Sequence, residues 1–451
     1  MADSNAKKQE QVQTQMLAQD QEKMQAQGQT QAQAQEQAQA QDKDQDQAQD
    51  RDQDQAQEQV QVWDQGQNQA QEHTQTQAQE HTQEQAENQA QPKSRGSKRR
   101  KRIGIVVGVV IAVFFVASFF FDRALLGQTY ARYDIREPNL LMTFDDYEGA
   151  YERTPVSFQM GDSTLRGYIY GSDNTRGLII FRHGIFSQQQ DYLPLITALV
   201  DRGWRVFAYD AIGCGESDGD STIGMSQSMR DVAAAVAFVQ ESGMADGMKV
   251  GLWGHSWGGY GVAAALGRIE GVDACVTMSG FDSPMKILVA AAKQMVGPLA
   301  VTQIPTMWLN TVLTFGGDAD VSASQAVAES GVPTLVIHGS GDATVPYDDV
   351  SILDNVQRSD GAPQNVTTKT FDEPGRNGHN DYFYSRESQQ YLNECADELS
   401  QLLDAADGNV DAPEVQAYVA SMDKRRANTA DPELIDEVDA FFAQHLESAG
   451  R

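Results

Sequence analysis

Three cysteines in 451 residues, Cys214, Cys275 and Cys395, are too few and too scattered for a disulfide framework or a metal-ligand cluster. They read as buried free thiols. Basic residues are also scarce: 34 Lys and Arg stand against 64 Asp and Glu, a net charge of −30. A surface of that sign attracts neither nucleic acid nor a layer of anionic lipid headgroups. The first 91 residues hold one aromatic side chain, Trp63, and almost nothing β-branched. Glutamine recurs there at about every second position, with Ala, Asp and Glu between. So little apolar surface cannot offset the loss of backbone entropy, so residues 1–92 are expected to form a disordered tail. EHTQ repeats at Glu72 and Glu80, a mark of duplication, and the interleaved carboxylates oppose the stacking that a glutamine period of two invites. The tail reads as a solvated spacer or interaction segment whose partner its composition does not name.

Long apolar runs are rare as well, and the one that exists is therefore informative. The basic cluster KSRGSKRRKR (93–102) is followed by IGIVVGVVIAVFFVASFFF (103–121), 19 residues without a charge. At about 1.5 Å per residue this is long enough to cross a hydrocarbon core. Seven basic residues on its N-terminal side predict a cytoplasmic tail and an extracytoplasmic C-terminal part, a single-pass anchor in the cell membrane. An apolar cylinder beside such a cluster does not suit a soluble core, and the long preceding tail does not suit a cleaved signal.

Residues 124–451 remain for one large domain. RTPVSFQM and TLRGYIYG alternate like a hairpin of exposed strands closed at Gly161-Asp162. Short, continuous apolar runs follow, as in strands covered on both faces: GLIIF, WRVFAYD, KVGLWG, VDACVTMSG and PTLVIHG, with TTKTF last. Helical patterns separate them. This alternation predicts an α/β fold with a mostly parallel sheet of about eight strands and helices on both faces. Ligands in such sheets bind beyond the carboxyl ends of the strands.

Gly254-His255-Ser256-Trp257-Gly258 lies between a buried-strand pattern and a helix pattern, the setting in which G-x-S-x-G raises a nucleophilic serine. No lysine follows as a phosphate loop would require. An activated serine needs a base held by an acid. Of seven histidines, His379 in the loop PGRNGHNDYF after the last strand pattern is the candidate base. His255 adjoins the serine, where the elbow is expected to turn the two side chains apart. Asp342, in VIHGSGDATVP, is the favoured acid, and Asp282, in TMSGFDSP, is its rival.

The order Ser256, Asp342, His379 is that of the α/β-hydrolase fold. From about Arg153 to His379, and again in the last helix, the chain resembles a serine hydrolase of the α/β-hydrolase superfamily. FRHGIF resembles the family's His-Gly oxyanion segment, YDAIGCGESDG its glycine-rich segment after the next strand, and HGSGDATVP its acid loop. The resemblance implies an oxyanion hole made by the backbone N–H groups of Ile185 and Trp257, with His183 holding that loop. It also implies a small helical cap over the site, at about 281–330. Phe186, Met285, Leu288, Met307 and Trp308 are expected to line an apolar pocket. The last helix is expected to start at Asp431 as cap and Pro432 at its first position.

The expected reaction is hydrolysis of a carboxylic ester through an acyl-enzyme, on a small-molecule ester or amide, with no metal or organic cofactor. Peptidase or acyltransferase action on the same fold is the enzymatic alternative. An inactive membrane-tethered interaction protein is the alternative of another class.

Overall fold

The computed structural model describes residues 96–134, 141–359, 363–406 and 408–447. The glutamine-rich tail expected over 1–92, and residues 93–95 of the basic cluster, lie outside the described residues. Two units divide the chain, residues 1–108 with 403–412 and residues 109–402 with 413–451. Of the first, the described parts are the opening of helix α1 (Gly96–Thr129) and a turn in which Ala406 and Gly408 donate backbone hydrogen bonds to Leu403. The rest of this account concerns the second unit.

Eight strands form one sheet: β1 (Arg153–Met160), β2 (Ser163–Tyr170), β3 (Leu178–Arg182), β4 (Arg205–Tyr209), β5 (Val250–His255), β6 (Ala274–Met278), β7 (Thr334–Gly339) and β8 (Val366–Phe371). Their spatial order is β1-β2-β4-β3-β5-β6-β7-β8. β1 and β2 are antiparallel, β2 meets β4 antiparallel, and every later pairing is parallel. The sheet matches the expected strand number and direction. The continuous apolar runs have a simple cause. In β3, Leu178 and Ile180 enter one core while Ile179 and Phe181 enter the other, so no residue of the run faces water.

One face of the sheet carries α3 (Gln227–Ser242), α4 (Trp257–Ala265), α7 (Ala323–Ser330) and α8 (Ile352–Arg358). The other carries α2 (Leu193–Val200) and the last helix, α12 (Pro432–Leu446). Between β6 and β7 the chain makes an excursion through α5 (Pro284–Val296), a tight turn, and α6 (Ile304–Phe315) before α7 rejoins the helical layer through Ala323 and Val327. The acidic stretch after His379 forms α9 (Arg386–Ala405), α10 (Pro413–Ser421) and α11 (Lys424–Ala427).

The chain leaves α1 and at once joins the domain. Thr222 N–H donates to Tyr130 O at 2.8 Å, Arg132 N–H to Asp220 O at 2.9 Å, and Tyr133 N–H to Gly213 O at 2.9 Å. The Arg132 guanidinium donates to the carbonyls of Ser217 and Gly219 at 2.8 and 3.0 Å. α1 and α6 are also fastened together: Thr306 Oγ1 donates to Asp122 Oδ2 at 2.5 Å and Asn310 Nδ2 to Phe119 O at 3.2 Å.

The strand order reverses at β3, whose neighbours are β4 on one side and β5 on the other. The crevice beyond the carboxyl ends of β3 and β5 is the position such a reversal creates for a ligand.

α12 begins as its sequence suggests. Asp431 Oδ1 accepts from Glu433 N–H at 2.7 Å and Leu434 N–H at 3.3 Å, and its other oxygen pairs with the buried guanidinium of Arg376. Replacing Asp431 with Ala removes the cap and the buried partner together. Urea denaturation followed by circular dichroism is expected to show a loss of about 3 kcal/mol. Glu433→Ala, which removes an exposed partner of Arg376 and Lys369, is expected to cost under about 1 kcal/mol.

Candidate active site

Ser256 stands at the tip of a strand-to-helix turn with φ 56° and ψ −116°, a left-handed backbone that a residue with a side chain seldom adopts. Its N–H donates to Met278 O at 2.8 Å, and its carbonyl accepts from Tyr260 N–H at 2.9 Å, so the turn is held from both sides. The flanking glycines are required by contact. A Cβ at Gly254 would stand 2.4 Å from Gly258 O, and one at Gly258 would stand 2.1 Å from Arg182 O. The first turn of α4 is thus pressed onto the end of β3.

That contact sets Trp257 N–H beside the loop after β3. Trp257 is the first residue of α4, so its N–H has no intrahelical acceptor. Ile185 lies in the turn after β3, and a Cβ at the preceding Gly184 would stand 3.4 Å from Ser256 Cβ. His183 secures this loop. Its Nε2 accepts from Ala211 N–H at 2.9 Å, which leaves Nδ1 to donate to Gly184 O at 2.7 Å. Burial, then the Arg182 charge, holds His183 far below the ordinary histidine range, so it stays neutral. Phe186 follows with φ 53° and an exposed ring packed edge-on against Tyr133.

His379 Nδ1 lies 2.7 Å from Asp342 Oδ2. The other oxygen of Asp342 accepts from Thr344 N–H at 2.9 Å and Val345 N–H at 2.8 Å. Burial pushes the Asp342 carboxyl up. The His379 hydrogen bond, the His379 and His338 charges and the Val345 N–H outweigh it and hold the group below the usual range. His338 Nε2 sits 3.3 Å from the same carboxylate oxygen and 2.9 Å from Val345 O. Asp282 is elsewhere: its oxygens pair with Lys286 Nζ at 2.7 Å, Ser322 Oγ at 2.9 Å and Ser324 N–H at 3.0 Å. The structure brings Asp342, and not Asp282, to His379. Among the described residues no hydrogen bond joins the Ser256 hydroxyl to His379. Bonds of this kind are often long without substrate and tighten in the reacting complex.

His255 is the residue whose part the motif did not disclose. The elbow turns it away from Ser256 and into the protein, yet its ring centroid is 4.7 Å from that of His379. Tyr192 OH accepts from Gly184 N–H at 3.1 Å and donates to His255 Nδ1 at 2.8 Å, so Nε2 carries the proton that faces His379 O at 3.4 Å. Burial first, and then the neighbouring His379, keep His255 far below its ordinary pKa and hence neutral. It backs the His379 ring and stays uncharged there.

The expected pocket residues divide. Met285 and Met307 are buried, Leu288 is half-buried and Phe186 is exposed. Trp308 is a correction. It lies on the outward face of α6, 51% exposed, while Thr306, Met307, Asn310 and Thr311 form the inward face. Met307, its neighbour in sequence, is buried, so the two side chains meet different surroundings.

A strained serine turn and a histidine–carboxylate pair thus lie at the switch point of a sheet whose strand order is that of the α/β-hydrolase fold. A family model described as serine aminopeptidase, S33, matches residues 173–317. The uncharacterized protein YfhR of Salmonella typhi is 25% identical over 206 residues, 44% of this chain and 67% of that protein. YfhR of Escherichia coli K12 is 28% identical over 200 residues, 43% of this chain and 64% of that protein. The chain therefore spans about two thirds of the length of these relatives. Among solved structures, the esterase Pf2001 of Pyrococcus furiosus aligns with a TM-score of 0.43 and 18% identity over 61% of this chain and 98% of its own. An acylaminoacyl peptidase of Pyrococcus horikoshii aligns at 0.40 and 14% over 67% of this chain and 42% of its own.

Gly258→Ala tests the contact that sets the site. Its Cβ would meet backbone, not a yielding side chain. The expected result is a loss of about 1–3 kcal/mol in thermal unfolding together with loss of serine reactivity toward a fluorophosphonate.

Proposed function

We propose that the chain is a membrane-anchored serine hydrolase that cleaves a carboxylic ester through an acyl-enzyme. The observation that carries this reading is the 2.7 Å pair of His379 Nδ1 and Asp342 Oδ2, set beyond the strand ends with the Ser256 elbow. In the proposed reaction Ser256 Oγ attacks the carbonyl carbon and its proton passes to His379 Nε2. Asp342 holds the proton on Nδ1, which fixes the ring's tautomer and stabilises the imidazolium. The N–H groups of Ile185 and Trp257 receive the negative charge that develops on the carbonyl oxygen. Collapse of the tetrahedral intermediate breaks the ester C–O bond, and the leaving alcohol takes the proton from His379. Water, deprotonated by His379, then attacks the acyl-enzyme and releases the acid and Ser256. Phe186, Met285, Leu288 and Met307 supply apolar surface for the acyl group.

A peptide or aminoacyl amide is the second reading, favoured by the description of the matched family. The chemistry is the same up to the leaving group, an amine in place of an alcohol.

The anchor belongs to the proposal as well. Within Gly104–Thr129 an 18-residue window has a mean hydropathy of 2.8 and is almost wholly exposed, and at about 1.5 Å per residue the 26-residue stretch exceeds the thickness of a hydrocarbon core. The basic cluster at 93–102 then orients the tail toward the cytoplasm and the catalytic domain outward.

A fluorophosphonate is expected to label the full chain and to spare Ser256→Ala; equal labelling of both sinks the reading. Asp342→Asn is expected to lower kcat by about 10⁴, because the ring loses its tautomer control, whereas Asp282→Asn keeps activity. The reverse result moves the acid to Asp282. Protease added outside intact cells should digest the domain and spare the tail, and digestion of the tail would reverse the orientation. A panel of esters and aminoacyl amides with graded acyl lengths separates the two substrate readings.

A further inference from the structure

Helix α6 is amphipathic in the wrong sense for water. Three of its five buried residues are polar, Thr306, Asn310 and Thr311 beside Met307 and Phe315, whereas Trp308, Leu309 and Leu313 stand outward at 51%, 41% and 63% exposure. The turn before it exposes Leu299 and Val301 at 70% and 62%, and the end of α5 exposes Met295 at 69%. From Gln294 to Gly317 the chain runs 24 residues without a charge, in a protein of net charge −30. A contiguous apolar face of this kind on a soluble surface marks an interaction site.

What covers it is indicated by the neighbour on its inner side. Two of the three buried polar side chains of α6 reach α1: Thr306 bonds Asp122, and Asn310 bonds the carbonyl of Phe119, while Thr311 bonds Met307 O within its own helix. Polar residues between helices and apolar residues outward is the pattern of helices packed in lipid. Phe315, at the end of α6, and Tyr130, just past α1, meet over Gly224, where a Cβ would stand 3.0 Å from the first ring and 3.5 Å from the second. The apolar patch is thus borne by the element to which the apolar helix is fastened. α6, of 12 residues, is too short to cross a bilayer, at about 20 Å or less. α5 and the turn after it, Pro284–Thr302, have the length and composition of a span, but Met285 and Ile287 are buried in the domain and Lys286 pairs with Asp282, so the start of α5 is held there. The end of α5, the turn and α6 suit insertion into one leaflet, parallel to its surface. A second copy of the chain is the weaker occupant, because the patch bears no charge and few exposed polar groups, only Gln294, Thr302 and Thr314, to set a register between two acidic domains.

We propose that the α5–α6 excursion is seated in the hydrocarbon of the leaflet from which α1 emerges, so that the domain holds the bilayer at two places. This rests on the reading of α1 as a membrane span. The uncharged face has no attraction for anionic headgroups, so the insertion is driven by apolar burial and does not need anionic lipid.

Trp308 reports on it. Of five tryptophans, Trp204, Trp253 and Trp257 are fully buried and Trp63 belongs to the tail. The full chain carrying Trp63→Phe is reconstituted in zwitterionic phosphatidylcholine vesicles whose acyl chains are brominated near their middle, and its emission is compared with that in unbrominated vesicles. The expected result is a loss of emission that disappears in Trp308→Phe and shrinks in Leu313→Asp, with circular dichroism unchanged in both. Alkaline carbonate extraction of the same vesicles tests α1 separately. Retention in the membrane with no quenching of Trp308 overturns the inference and leaves the anchor standing. Extraction with no quenching removes both. Extraction with quenching retains the inserted excursion and removes the anchor. Failure of quenching accompanied by a cross-link between two copies through cysteines placed at position 313 assigns the patch to a dimer and overturns the proposal.

Discussion

The site depends on one close contact, the backbone of Gly258 against the carbonyl of Arg182. It presses α4 onto the end of β3, and from it follow the left-handed turn at Ser256, the unpaired N–H of Trp257 and the nearness of Gly184 to the serine. No side chain larger than hydrogen fits at that point. Strain at Ser256 is sustained because the surrounding bonds over-determine it: Met278 O holds its N–H, and Tyr260 N–H holds its carbonyl.

Beneath the contact lies a buried polar layer that keeps the loop after β3 in place. Arg182, fully buried, donates to His183 O at 2.7 Å, stacks over the Trp257 ring at 4.4 Å and faces Asp231 at 3.5 Å. Burial raises the Asp231 carboxyl to about 6, opposed by the Arg182 charge. Buried ion pairs of this kind are weak sources of stability, since desolvation offsets much of their attraction. Their contribution here is positional: the guanidinium links the strand end, the oxyanion loop and the first residue of α4. His183, Tyr192 and Asp210 extend the layer, with Asp210 accepting from Gln189 N–H at 2.8 Å and Glu216 N–H at 3.0 Å.

Much of this was legible in the sequence, for reasons that can be named. Strands covered on both faces must be apolar throughout, so GLIIF and PTLVIHG declared themselves. The elbow declares itself because Gly254 and Gly258 are demanded by backbone contact a few residues away. Asp342 was readable from its place after a buried strand and His379 from its place in the loop after the last strand, although only the fold brings them together across 37 residues. The part of His255 was not readable, because its partners Tyr192 and His379 are 63 and 124 residues distant and no spacing links them. Hydrophobicity alone points Trp308 inward, whereas it stands 51% exposed on α6. The spacing along α6 does not separate its faces, since the exposed Leu313 follows the buried Thr306 by seven residues, about two full turns. Nor did it reveal that Thr306 and Asn310 would find partners in α1.

The junction between α1 and the domain carries a mechanical consequence. Within four residues of the helix end, Tyr130, Arg132 and Tyr133 are already bonded into the loops at 213–222, beside Asp210 and the oxyanion segment. In a chain anchored through α1 this is a tether without slack. Were the chain anchored there as proposed, the domain would not swing on a leash through the surrounding fluid; its height and facing would be set by the helix end, and a hydrolase so held would survey a thin shell at the bilayer surface.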